Sequence, residues 1–146
     1  MYMYYMYNNA YFLLAKYAQL VSTGFFATLF LYTTLCQLSI HMLSDPFVKV
    51  SVVSNKKRIK KKRTETIRSS SDPIWNQELV FDVPRSLLKQ ITLDISVVSD
   101  NVLGNNERLG RLTLGAQCTG DEKDHWNEML TSKTPMARWH LLGAGS

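Results

Sequence analysis

From residue 44 onward, apolar and polar positions alternate in short runs broken by turn residues. In 47–53, Val48, Val50 and Val52 fall on one side and Lys49 and Ser51 on the other, the period-two pattern of a strand with one buried face. The run 78–83 turns Leu79, Phe81 and Val83 inward until Pro84 stops it, and 92–98 does the same with Leu93, Ile95 and Val97. Shorter strands are predicted over 109–114 and 137–142. The stretch 58–67 is polar, with apolar residues only at Ile59 and Ile67, a pattern that belongs at a sheet edge or on an exposed face. Turns are predicted at Ser44-Asp45-Pro46, at Ser69-Ser70-Ser71-Asp72-Pro73 and over the Asn- and Gly-rich 100–106. Residues 121–130 predict a helix, with acidic residues in the first turn and Trp126, Met129 and Leu130 on one side. Six short strands at regular spacing with one helical insert predict an all-β antiparallel sandwich.

Residues 1–43 show no such alternation. All seven tyrosines lie here, and no charged residue occurs from 17 to 40. About 20 apolar residues cross a bilayer as a helix. This segment is long enough, but Ser22, Thr23, Thr28, Thr33, Thr34 and Gln37 lower its hydropathy. Three readings stand: a marginal transmembrane or interfacial helix over 18–40, a non-native extension foreign to the fold, and native core. The third is the least favoured because strand alternation is absent. A secretory signal peptide fits poorly, since no positive side chain precedes residue 16. If 18–40 spans a membrane, Lys16 and the later basic block lie on opposite sides, and the positive-inside bias places 44–146 in the cytosol. The chain thus divides into a hydrophobic segment, 1–43, and a domain, 44–146.

Charge sharpens that division. Lys16 is the only charged residue before 44, and the remaining 16 Lys and Arg and all 12 acidic residues follow it. Seven cations crowd into eight positions: Lys56, Lys57, Arg58, Lys60, Lys61, Lys62 and Arg63. The pI of ≈ 9.3 therefore reports one local patch. On a strand, Lys60 and Lys62 share one face and Lys61 and Arg63 the other. Such a patch points to an anionic partner. A basic residue near an anionic leaflet contributes roughly 1 kcal/mol. Lysines on an edge strand also guard against aggregation. Nucleic acid is not expected, because no aromatic residue is interleaved with the basic run to stack on bases. Cys36 and Cys118 make neither a zinc site nor a disulfide framework. His41, His125 and His140 stand at no metal-ligand spacing. No nucleophile motif or phosphate-cradling glycine loop is present, which points away from an enzyme.

Seven motifs stand in order over 44–142. They are Ser44-Asp45-Pro46-Phe47-Val48-Lys49-Val50, Lys60-Lys61-Lys62-Arg63-Thr64, Asp72-Pro73-Ile74-Trp75-Asn76-Gln77-Glu78, Phe81-Asp82-Val83-Pro84, the glycines of Leu109-Gly110 and Leu114-Gly115, His125-Trp126 with Met129-Leu130, and Trp139-His140-Leu141-Leu142. Together they resemble the second C2 domain of the synaptotagmin family, from Ser44 onward. The resemblance implies a C2-type antiparallel β-sandwich with a short helix inserted before the last strand. The sandwich is expected to be incomplete, about six strands, because the family's first two strands have no counterpart in 1–43.

The resemblance also implies a function: binding anionic phospholipid and phosphoinositide membranes in vesicle trafficking or exocytosis, at the cytosolic face of a vesicle or plasma membrane. Lys60, Lys61, Lys62 and Arg63, with Lys56, Lys57 and Arg58, would form the contact. SNARE-type or other acidic trafficking proteins are further implied partners. Trp139, His140 and Leu142 are docking candidates, although packing near Trp126 is the favoured role for Trp139. The family holds calcium with loop carboxylates, and the matching positions here are Asp45, Ser99, Asn101 and Glu107, with Asp100 displaced between them. Calcium takes six to eight oxygens, several of them anionic. This set is degenerate, so no calcium cofactor is expected. Two alternatives stand: a protein-interaction module using the same strand, and a truncated, non-functional C2 fragment with exposed sheet edges. The oligomeric state is left open.

Overall fold

The computed structural model describes residues 11–23, 26–37, 44–70, 72–101, 103–134 and 136–144. Its larger sheet grows from β3 (Pro46–Ser54), which pairs antiparallel with β4 (Lys57–Arg63) on one side and β6 (Ile91–Ser99) on the other. Beyond β6 lie β7 (Glu107–Gly115) and the two-residue β9 (Gly143–Ala144). The sheet order is β4-β3-β6-β7-β9. The second sheet contains β5 (Ile74–Pro84) and β8 (Met136–Leu141) at its two ends, with β1 (Tyr11–Thr23) and β2 (Phe26–Gln37) between them, in the order β5-β2-β1-β8. Helix α1 (Gly120–Thr131) is inserted before β8.

The alternation read from the sequence sets the core. Val48, Val50 and Val52 of β3 and Leu93, Ile95 and Val97 of β6 are all fully buried. Leu79, Phe81 and Val83 of β5 meet them from the other sheet, and α1 adds Trp126 and Met129. Each such side chain contributes roughly 1.5–3 kcal/mol on leaving water. The six strands and the helix expected in 44–146 are all present.

The polar strand is shorter than predicted. Thr64 ends it: its N–H donates to the Val48 oxygen at 2.9 Å, and its Oγ1 accepts the Val48 N–H at 2.9 Å. Asn55 and Lys56, both with positive φ (49° and 62°), make the hairpin turn between β3 and β4.

The described part of 1–43 departs furthest from the expectation of a membrane helix. Where a membrane helix over 18–40 or a non-native extension was expected, the described backbone forms β1 and β2. They pair with each other antiparallel, β2 pairs with β5, and β1 pairs with β8. Two physical reasons account for the difference. Thr, Tyr, Phe and Val are strand formers whether or not they alternate with polar residues. And β5 and β8 would otherwise each present an unpaired row of backbone donors and acceptors toward the gap between them. No helix among the described residues is long and apolar enough to cross a membrane. His41 and Ser71 lie outside the described residues.

Candidate anion-binding groove

β4 closes one side of its sheet, and all seven of its residues are exposed. Its register sets Lys49 opposite Arg63 and Ser51 opposite Lys61. Like charges directly opposite each other are destabilising, so the pairing of Lys49 with Arg63 is not there for stability. Arg63 lies 4.5 Å from the centre of the Phe47 ring, a cation–π contact that fixes its guanidinium over β3. A register shift between Val52 and Val53 sets Val52 opposite Lys60 and Val53 opposite Arg58, leaving Ile59 as a bulge.

The two faces of β4 differ, as alternation predicts. Lys60 Nζ donates to the backbone oxygen of Asp82, and Lys62 Nζ sits 5.8 Å from the centre of the Phe81 ring, so both lean toward β5. Lys61 and Arg63 turn outward. There an open groove of about 690 Å³ is lined by Phe47, Lys49, Lys61, Lys62, Arg63, Val98, Asn106, Glu107 and Arg108. Five cations thus converge on one concavity against a single carboxylate. Beside it, Arg111 is neutralised by Asp94, with contacts of 2.8 and 3.3 Å. Lys56, in the hairpin turn, and Lys57 and Arg58, at the far end of β4, are exposed but do not line the groove.

Sequence reasoning misses Lys49 and Arg108 as site residues. Lys49 had a signal, its place on the polar face of 47–53. Arg108 had none, because only the pairing of β7 with β6 carries it there.

The degenerate calcium positions are drawn into other contacts. Asp45 Oδ1 accepts the Ser69 N–H at 2.7 Å, and its other oxygen lies 3.6 Å from Arg68 Nη1. Asp100 accepts from the Thr66 hydroxyl at 3.5 Å. Asn101 turns its side-chain oxygen to the Leu103 N–H at 3.0 Å. Ser99 ends β6, and Glu107 lines the basic groove. No group of three His, Cys, Asp or Glu among the described residues could hold a metal. The Asp45 carboxylate is thus engaged by an N–H and a guanidinium.

At the opposite end, Trp139 is not the core residue that the favoured role required: it is 50% exposed, as is Leu141. His140 and Leu142 are the buried ones, and His140 meets His125 of α1.

This architecture is found in known proteins. Residues 32–129 match the C2 domain family, and the chain belongs to it. The match begins inside β2, upstream of Ser44. Over 101 residues the chain is 41% identical to Synaptotagmin 1 of Drosophila melanogaster, covering 68% of this chain and 21% of that protein. It is 40% identical over 100 residues to Synaptotagmin-6 of Rattus norvegicus, covering 68% and 20%. The chain thus spans about a fifth of the length of these curated relatives. Among solved structures, a C2 domain of RIM from Drosophila matches with a TM-score of 0.68 at 18% identity, covering 92% of this chain and 98% of that one. The first C2 domain of human synaptotagmin XIII matches with a TM-score of 0.60 at 16% identity, covering 92% and 86%. Domains of the synaptotagmin type are non-enzymatic binding modules, and nothing among the described residues points to catalysis.

Proposed function

We propose that this chain is a calcium-independent C2 module, most similar to a second synaptotagmin domain, that binds anionic phospholipids, phosphoinositides above all, on the cytosolic face of trafficking membranes. The observation that carries this reading is the convergence of Lys49, Lys61, Arg63 and Arg108 on one groove. Like charges set this close repel one another, and the cluster matches a phosphomonoester, which takes charge-assisted hydrogen bonds from several donors at once. Calcium independence is supported by Asp45, whose carboxylate is already held by Ser69 and Arg68. The exposed edge of β4 also suits acidic trafficking proteins of SNARE type. Trp139, half exposed on β8, offers a separate docking surface, to which His140 and Leu142 contribute only through the fold.

Flotation with neutral and phosphoinositide-containing liposomes, in calcium or chelator, tests the reading. Binding is expected to the anionic liposomes alone, equal with chelator, and lost in a high-salt wash. Replacing Lys60, Lys61, Lys62 and Arg63 together with Gln should abolish it. Unchanged binding by that variant, or binding only with calcium, would overturn the proposal.

A further inference from the structure

Helix α1 is fastened to β8 at two points. On the outer side, Arg138 donates to both oxygens of Glu128, at 3.1 and 2.6 Å, and lies 3.6 Å from Asp121. On the inner side, His125 Nδ1 and His140 Nε2 stand 2.7 Å apart, with the rings 13° from parallel and their centroids 5.0 Å apart. Both residues are buried, at 0% and 2% exposure.

Two ring nitrogens at that separation need one hydrogen and one lone pair between them. His140 Nδ1 is buried with no hydrogen-bond partner among the described residues. While both rings are neutral, one of the two facing nitrogens donates and the other accepts. Wherever it goes, a further proton leaves a charged ring in a buried site, and on the accepting nitrogen it also sets N–H against N–H.

We propose that the His125–His140 pair is a pH-sensitive latch between α1 and β8, closed while both rings are neutral and opened by protonation in mildly acidic solution. The surroundings agree. Burial pushes His140 below the ordinary histidine range and Arg138 acts in the same direction, while Glu122 and Asp121 oppose them. Lys123, Asp124 and Glu128 complete the charges on α1, and the two carboxylates act on Arg138. β7 turns Leu112 and Leu114 to the core, and its Arg111 faces Asp94. β1 runs beside His140 with Phe12 opposite it in register, and its ionisable residues are Tyr11, Lys16 and Tyr17.

Because the closed state holds His140 below its open-state value of about 6.5, the open state takes up protons first as pH falls. The latch is thus at full strength above about pH 6.5 and weakens below it. The outer fastening persists there, since its hydrogen bond to Arg138 holds the Glu128 carboxyl below the usual range. Mild acid therefore loosens the inner contact alone and gives water access to Trp126 and Met129.

Hydrogen exchange on the full chain at pH 7.5, 6.5 and 5.5, corrected for intrinsic rates, tests the latch. Opening of α1 should rise up to about tenfold between pH 6.5 and 5.5 for one proton taken up, with β3 and β6 unchanged. His41→Gln should leave that rise intact, and His140→Phe should remove it. If His140→Phe does not fold, ring-nitrogen NMR of the native chain decides: neutral His125 and His140 rings at pH 7.5 and titration of His140 below the ordinary range, together with shifts in α1 amides, support the latch. A flat α1 profile in the native chain, an unchanged rise in His140→Phe, or both rings titrating at about 6.5 with α1 unmoved would overturn it.

Discussion

β4 and β6 flank the same strand with the same kind of antiparallel pairing, yet they have opposite fates. Every residue of β4 is exposed, whereas six of the nine in β6 are buried. Backbone pairing therefore does not decide which strand holds the fold together. The side chains do: β6 removes Leu93, Ile95 and Val97 from water, and β4 keeps six cations in it. Buried apolar surface is concentrated on one side of β3 and cationic charge on the other.

The sharpest way to break this comparison is to damage each strand in turn. Ile95→Ala empties a fully buried site and should cost about 2–5 kcal/mol. A urea titration would read it as a lower midpoint with the slope unchanged. Lys61→Gln with Arg63→Gln should move stability by no more than about 0.5 kcal/mol, since both side chains are exposed and one faces Lys49. A β4 variant as destabilised as Ile95→Ala would mean that the basic strand carries the fold after all.

A finer test separates the groove from bulk charge. Lys61→Gln/Arg63→Gln removes two charges that line the groove, and Arg58→Gln/Lys60→Gln removes two that do not. At roughly 1 kcal/mol for each basic residue, the groove pair should lower the affinity for phosphoinositide vesicles by about tenfold or more. The other pair should lower it less, because Lys60 is already engaged by the Asp82 oxygen and Arg58 does not line the groove. The salt dependence should flatten in the same order. Equal losses would mean that vesicles respond to diffuse charge and not to the groove.

What the sequence made legible follows the same division. β3, β5 and β6 could be read because each has one face in the core, and burial writes itself as alternation: Val48, Val50 and Val52 are enough to set a register. β4 could be read as an edge for the opposite reason, since a strand with so many cations has no dry side. β1 and β2 were not legible. Alternation marks a strand with one wet face, and their lack of it looked like hydropathy without structure. Contacts that join distant elements were not legible either. Arg108 reaches the groove only through pairing with β6. His125 and His140 are 15 residues apart, on a helix and a strand, and no spacing rule links them.

The smallest expected effect lies at the loop end, where Asp45 holds Ser69 and Arg68. Arg68 is 74% exposed, so water and salt screen this pair, and its contribution is below about 1 kcal/mol. Asp45→Asn can keep an oxygen for the Ser69 N–H and loses only the charge facing Arg68. Its melting temperature should fall slightly at low salt and match the native chain at about 1 M salt, where the Debye length is about 3 Å. Millimolar calcium should shift neither protein. The informative failure is a native chain stabilised by calcium while Asp45→Asn is not. Asp45 would then have to leave Arg68 for the cation, and the loop end would join the groove as a second, metal-dependent site of attachment.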